Sequence, residues 1–247
     1  MSPSASPLRP AGAFALIMLS FVLAACAPSE PLPTLDPPKM MYGAVEDDGF
    51  PVAAINLKRI DPRYLRQVVD TPDNLPKAPG VIIVDPADRF LYLTLAGGKA
   101  MRYGIGVGRD GFAWAGEAQI QDKQHWPKWF PPKEMIARDA TLKPYDKGMD
   151  GGPRNPLGAR ALYLWKDNKD TLYRLHGTTD PSSIGKAVSS GCVRMFNQDV
   201  MDLYERVPLG TKVIVLPTPG AADIMTELSE EAAQAVVPAK AKVKPKG

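Results

Sequence analysis

The sequence predicts a mainly β domain carrying one or a few short helices, and three observations carry that prediction. From about Gly80 onward, short runs of β-branched and aromatic residues recur between turn residues. Only one later segment has a convincing helical period. With 247 residues, 45% of them hydrophobic, the chain can bury one proper core with extra segments, but not two large domains.

Taken in order, the chain begins with a single charge, Arg9, and an apolar run, Ala11 to Ala25, too short to span a bilayer comfortably as a mature helix. It reads as an export signal occupying residues 1–25. Its end, Leu23-Ala24-Ala25-Cys26, resembles the lipobox of bacterial lipoproteins, which makes Cys26 the expected lipidation site and the first mature residue. Ala27 rather than aspartate follows it, the usual arrangement for transfer to the outer membrane of a Gram-negative bacterium. The expected location is therefore the periplasm, with the lipid on Cys26 holding the chain to that membrane.

Residues 26–79 are rich in proline and charge and read as an extended spacer. Within it, Ile55 to Val69 has aliphatic and aromatic residues suited to docking as an arm, and Pro62 prevents a continuous helix there. The domain proper is expected over residues 80–217. Val81–Val84, Phe90–Leu95, Met101–Val107, Ala161–Trp165, Leu172–Leu175 and Lys212–Leu216 read as strands of an antiparallel sheet system. Asp85-Pro86-Ala87-Asp88 and Gly97-Gly98 read as hairpin connections.

Between Gln121 and Arg160 lies a long stretch with Trp126, Trp129 and a glycine-rich bend, the kind of loop that forms binding walls on a β scaffold. The two tryptophans suit a core as well as a groove. Val200, Leu203, Tyr204 and Val207 share a helical face, with Asn197 as cap and Pro208 as stop. Residues 218–247 end in AKAKVKPKG and read as a solvated, disordered basic tail. Charge is otherwise nearly balanced, 30 basic against 27 acidic residues, and forms no stripe of the kind that binds nucleic acid.

Cysteine usage narrows the chemistry. Only two cysteines exist, and with Cys26 assigned to the anchor, Cys192 has no disulfide partner in an oxidising compartment. Such a thiol is either buried and inert or kept for its reactivity. His176 stands 16 positions upstream, at the end of a predicted strand, and an imidazole is the group that activates a thiol whose ordinary pKa is about 8.5. The other histidine, His125, sits among tryptophans and prolines and is given no catalytic role. Glycine at position 191 permits a tight turn in which the backbone N–H groups of Gly191 and Cys192 converge as an oxyanion hole. One free cysteine and two distant histidines are too few ligands for a stable zinc site.

His176-Gly177-Thr178, Ile184-Gly185 and Ser189-Ser190-Gly191-Cys192-Val193-Arg194-Met195 together resemble the signature of the L,D-transpeptidase catalytic domain, of the YkuD type. The resemblance extends to RYGIGVGR, to Asn155-Pro156-Leu157-Gly158 and to the closing strand TKVIVL, covering about Gly80 to Leu216. It implies a β-sandwich-like catalytic fold particular to that family, a cysteine acyl-enzyme, and no metal or organic cofactor. Carried over residue by residue, Cys192 is the nucleophile, His176 the base, and the Gly177 carbonyl the group that orients the imidazole. Ser190 stands where many members have a second histidine, leaving His176 as sole base. Arg194 matches a motif arginine and either binds a substrate carboxylate or braces the loop under the cysteine. Ser190 and Thr178 are placed with it on the substrate side, although Thr178, like Ser189, also suits a loop hydrogen-bonding role.

The activity so implied is acyl transfer on peptidoglycan. The Cys192 thiolate attacks the carbonyl of the third stem-peptide residue, D-alanine leaves, and an amine of a neighbouring stem or of an envelope protein takes the acyl group. A hydrolase of the same fold, which gives the acyl group to water, and a non-catalytic peptidoglycan-binding lipoprotein are the alternatives. A sortase orders the same residue types but sets its histidine much farther upstream.

Overall fold

The computed structural model describes residue 36 and residues 38–108, 115–189 and 192–218. The stretch read as an export signal, Cys26, Ser190, Gly191 and all of the expected basic tail beyond Thr218 lie outside the described residues. Among those described, no helix is long and apolar enough to cross a membrane.

The chain order is α1 (Pro38–Met41), β1 (Val45–Asp47), β2 (Phe50–Val52), β3 (Gln67–Asp70), β4 (Ile82–Asp85), β5 (Phe90–Thr94), β6 (Lys99–Gly104), β7 (Val107–Gly108), β8 (Gly116–His125), α2 (Lys133–Arg138), β9 (Arg160–Lys166), β10 (Lys169–His176), β11 (Ala187–Ser189), β12 (Val193–Arg194), α3 (Asn197–Arg206) and β13 (Lys212–Val215). Nine strands form one sheet in the order β12-β10-β9-β8-β13-β4-β5-β6-β3, with two-stranded pairs β1–β2 and β7–β11 beside it.

The mainly β expectation holds, but the sheet is mixed. β13 runs parallel to β4, and β12 runs parallel to β10. The turns expected at Asp85–Asp88 and Gly97–Gly98 do join antiparallel neighbours. In the first, the Asp85 carboxylate accepts the N–H groups of Ala87 and Asp88, both at 3.1 Å, so the side chain does the work of a turn hydrogen bond.

Alternation assigns the two faces. Ile82, Val84, Leu91, Leu93 and Leu164 point into the larger core, where Val200 and Leu203 of α3 cover them. Ile83, Phe90, Tyr92 and Ala100 point to the other face and gather Leu75. Helix α3 begins at Asn197, with Phe196 rather than Asn197 in the cap position. At its other end the Lys123 ammonium donates to the carbonyls of Tyr204 and Val207, at 2.6 and 2.7 Å, satisfying acceptors that a helix leaves open.

Residues 38–79 are not an open spacer. Strand β3 closes one edge of the sheet against β6. Tyr42 and Leu65 are buried with Ile184 and Phe196 in a cluster of their own. The proline count misleads here because a few well-spaced apolar residues suffice to dock a segment whose prolines sit in its turns.

The long loop is also shorter than expected, since Gln121–His125 complete β8. Trp126 is core: its ring packs with Phe50, and its indole N–H donates to the Asp47 carboxylate at 2.8 Å. His125 ends β8 and meets the Asp48 carboxylate at 2.6 Å. The Asn155 carboxamide, fully enclosed, donates to the carbonyls of Pro127, Met149 and Asp150 and so pins both ends of the loop to each other.

Candidate active site

Three neighbouring segments build the site: the end of β10 with His176, the short β12 that follows Cys192, and the loop before β9. Parallel pairing sets Leu175 beside Val193 and His176 beside Arg194, with Leu175 and Val193 buried in the core. Continuing that register past the start of β12 brings Cys192 level with Arg174, two residues before His176 on β10. The Gly106 and Arg194 backbones exchange two hydrogen bonds of 2.9 Å, and Met195 N–H donates to the His176 carbonyl at 2.8 Å. The His176 backbone, the Gly106 backbone and the backbone after Cys192 are thus stitched together.

His176 is buried, 5% exposed, and its Nδ1 lies 2.6 Å from the Gly177 carbonyl oxygen. A carbonyl only accepts, so Nδ1 carries the hydrogen and the neutral ring keeps its lone pair on Nε2. Burial pushes the imidazole pKa down to about 4, the Arg194 and Arg174 charges push the same way, and the Gly177 and Leu157 carbonyls oppose them. At neutral pH the ring is therefore uncharged.

The Cys192 thiol is partly buried and lies 3.8 Å from the Leu172 carbonyl oxygen. Burial raises its pKa above the ordinary thiol value, while the Arg174 backbone N–H and the Arg174 and Arg194 guanidinium groups pull it down. Both shifts run toward an uncharged thiol and an uncharged imidazole at rest and away from a preformed ion pair.

Asn197 explains why the glycines are needed. Its carboxamide oxygen accepts the N–H groups of Ala159 and Thr178, at 3.0 and 3.2 Å. A Cβ on Gly158, which has φ +67°, or on Gly177 would overlap that oxygen, so the two glycine backbones close around it. This clasp fixes the loop whose carbonyl orients His176. From the sequence Asn197 read as a helix cap; its spacing after Cys192 held no sign that it faces the other way.

The remaining candidates separate. Thr178 uses its hydroxyl within its own turn, accepting the Asp180 N–H at 3.0 Å and meeting the Asp180 carbonyl at 3.4 Å. Among the described residues the Arg194 guanidinium makes no ion pair. Ser190, and Gly191 of the expected oxyanion hole, lie outside the described residues.

Arg174 escaped the sequence reading because it sits in an ordinary strand alternation. Both its terminal nitrogens reach Asp170, at 2.7 Å each, and its guanidinium stacks 4.3 Å from the Tyr163 ring centroid. A cation is thereby fixed near the thiol.

The L,D-transpeptidase catalytic domain model of the YkuD family matches residues 79–215. Among curated proteins, the chain is 33% identical over 145 residues to the "Probable L,D-transpeptidase YbiS" of Escherichia coli (strain K12), covering 57% of this chain and 45% of that one. It is 31% identical over 157 residues to the "Probable L,D-transpeptidase ErfK/SrfK" of the same strain, covering 60% and 46%. Among solved structures, a Brucella melitensis protein described as a "Probable carnitine operon oxidoreductase caia" is 52% identical, covering 65% of this chain and 99% of that one at a TM-score of 0.44. The oxidoreductase name belongs to that protein; the family model matched here is a transpeptidase domain. The chain spans about half the length of the curated relatives it matches. With more than half of its own length inside the family model, the chain belongs to the L,D-transpeptidase (YkuD) family of enzymes.

Proposed function

We propose that this chain is a peptidoglycan L,D-transpeptidase in which Cys192 is the nucleophile and His176 the sole base. The observation that carries this reading is the hydrogen bond of His176 Nδ1 to the Gly177 carbonyl, which reserves Nε2 for a proton on the strand next to Cys192.

As the Cys192 sulfur bonds to the carbonyl carbon of the third stem residue, its proton passes to His176 Nε2. The N–H groups of Gly191 and Cys192 hold the resulting oxyanion. Collapse breaks the bond to D-alanine, whose nitrogen takes the proton from His176, and leaves a thioester on Cys192. An amine from a neighbouring stem or an envelope protein then attacks the thioester and gives up its proton to His176, which returns it to the thiol. Arg194, which makes no ion pair among the described residues, is available to pair with a substrate carboxylate. A Gly177 side chain would displace the Asn197 clasp and with it the carbonyl that orients the base.

The site of action is the periplasmic face of the envelope, with Cys26 lipidated and the chain held at the outer membrane. This rests on the sequence alone: the Ala11–Ala25 run, the Leu23-Ala24-Ala25-Cys26 ending, and Ala27.

The test is acylation by a tetrapeptide stem, followed by intact-mass spectrometry. Wild type gains the mass of the acyl group and releases D-alanine, Cys192→Ala gains nothing, and His176→Ala acylates far more slowly. His125→Ala, altered at the exposed Asp48 pair, acylates as wild type does. Acylation of Cys192→Ala, or equal losses in the two histidine variants, would overturn the assignment.

A further inference from the structure

One feature beside the thiol plays no part in that reaction scheme: the bulge in β10. Between the pairs Asp170–Trp165 and Arg174–Tyr163, the three residues Thr171, Leu172 and Tyr173 stand against the single residue Leu164. Leu172 has φ +64°, a left-handed backbone that residues other than glycine, asparagine and aspartate rarely adopt.

Local preference does not produce this shape, and its neighbours impose it. The Asp170 carboxylate accepts the Leu172 N–H at 2.9 Å while its two oxygens hold the Arg174 guanidinium. The Thr171 hydroxyl donates to the Leu164 carbonyl at 2.6 Å and accepts the Tyr173 N–H at 3.2 Å. Such over-determined strain gathers at functional sites.

The bulge delivers two groups. It turns the Leu172 carbonyl to the Cys192 sulfur, and it leaves the Leu172 side chain 75% exposed, more than any other large apolar side chain among the described residues. An exposed leucine by itself is ordinary. This one, however, is fixed by covalent geometry with its Cβ within about 7 Å of the sulfur. The side chain of whichever residue is acylated has to start in the same shell, because its Cα is bonded to the carbonyl carbon that Cys192 attacks.

We propose that the β10 bulge is a donor-specificity device, in which the Leu172 carbonyl orients the thiol and the Leu172 side chain makes apolar contact with the aliphatic part of the attacked stem residue. The proposal rests on the acyl transfer described above. Leu172 is a specificity residue through its side chain and a positioning residue through its carbonyl.

Glycine separates the two roles, since it relaxes at φ +64° and so keeps the carbonyl in place while removing the side chain. The experiment compares wild type, Leu172→Gly and Leu172→Met in single-turnover acylation by a tetrapeptide stem, alongside alkylation of Cys192 by iodoacetamide. For Leu172→Gly, the half-saturating donor concentration rises roughly five- to tenfold, the saturating rate stays within about twofold, and alkylation is unchanged. Leu172→Met, which restores an apolar chain, returns half-saturation to near the wild-type value. Two results would overturn the proposal: unchanged half-saturation in Leu172→Gly, or a parallel fall of saturating rate and alkylation that marks a purely structural bulge. If wild type itself is not acylated, the acyl-transfer reading fails and takes this proposal with it. If wild type is acylated and Leu172→Gly matches it, only the proposal fails.

Discussion

Asn197→Ala removes the carboxamide and leaves two backbone donors without their acceptor oxygen. Those donors, Ala159 N–H and Thr178 N–H, bond to the carboxamide at 3.0 and 3.2 Å in a partly buried setting. An unsatisfied buried donor costs about 1–3 kcal/mol, and partial burial argues for the lower part of that range, so the variant should lose roughly 2–4 kcal/mol of stability. The same change frees the space that Gly158 and Gly177 close around, so the Gly177 carbonyl is no longer held against His176 Nδ1. Urea unfolding reads the stability loss, and single-turnover acylation at a urea-free temperature well below the melt reads the second effect. We expect the acylation rate to fall at least about tenfold in molecules that remain folded. Asn197→Asp is the control, because it keeps an acceptor for both N–H groups and should recover most of the stability. An Asn197→Ala protein within about 0.5 kcal/mol of wild type, with an unchanged acylation rate, would refute the clasp.

Two predictions concern protons. His176 is held near pKa 4 in the folded chain against about 6.5 unfolded, so on acidification the unfolded state gains a proton that the folded state refuses. Stability should therefore fall from pH 6.5 to pH 4, by about 3 kcal/mol from this residue. Buried Asp199, pushed up to about 7, contributes with the opposite sign, but it cancels when wild type is compared with His176→Gln, and parallel stability curves for the two would contradict the burial argument. Separately, the raised Cys192 pKa predicts that iodoacetamide labelling keeps climbing above pH 8.5, and that Arg174→Gln shifts the climb to still higher pH. A rate already flat between pH 6 and pH 9 would mean a resting thiolate–imidazolium pair instead.

The strands with continuous β-branched or aromatic runs were legible in the sequence: Ile82–Val84 of β4 and Phe90–Thr94 of β5 are buried on both faces, and β13 keeps an unbroken Val213–Val215 run after Lys212. Strand β8 was not. Its buried residues, Ala118 and Ile120, are separated and followed by glutamine, aspartate and lysine, so the strand exists because β9 and β13 pair with it. The parallel pairings escaped for a related reason: direction depends on how distant segments cross over, which local alternation does not encode. At the site, chemistry was easier to read than support. Cys192 and His176 stood out by type and motif, whereas the Arg174 fork, the reversed Asn197 side chain and the Leu172 bulge appear only once strands are paired.

The family match begins at residue 79, yet the contacts that hold the Cys192 segment begin earlier. Ile184 precedes Cys192 and Phe196 follows it, and both pack against Tyr42 and Leu65. The Tyr64 ring lies against Gly185, whose φ of +81° and missing Cβ make room for it. Tyr42 also donates its hydroxyl to buried Asp199, and Arg66 pairs with Asp202 at 2.7 Å, so two residues of the early segment grip α3. Descent and mechanics thus draw different borders on this chain. A gene fragment trimmed to the inherited domain would retain every motif residue and lose the abutment that the Cys192 segment leans on, and Asp199 would be left as a buried carboxyl facing a gap.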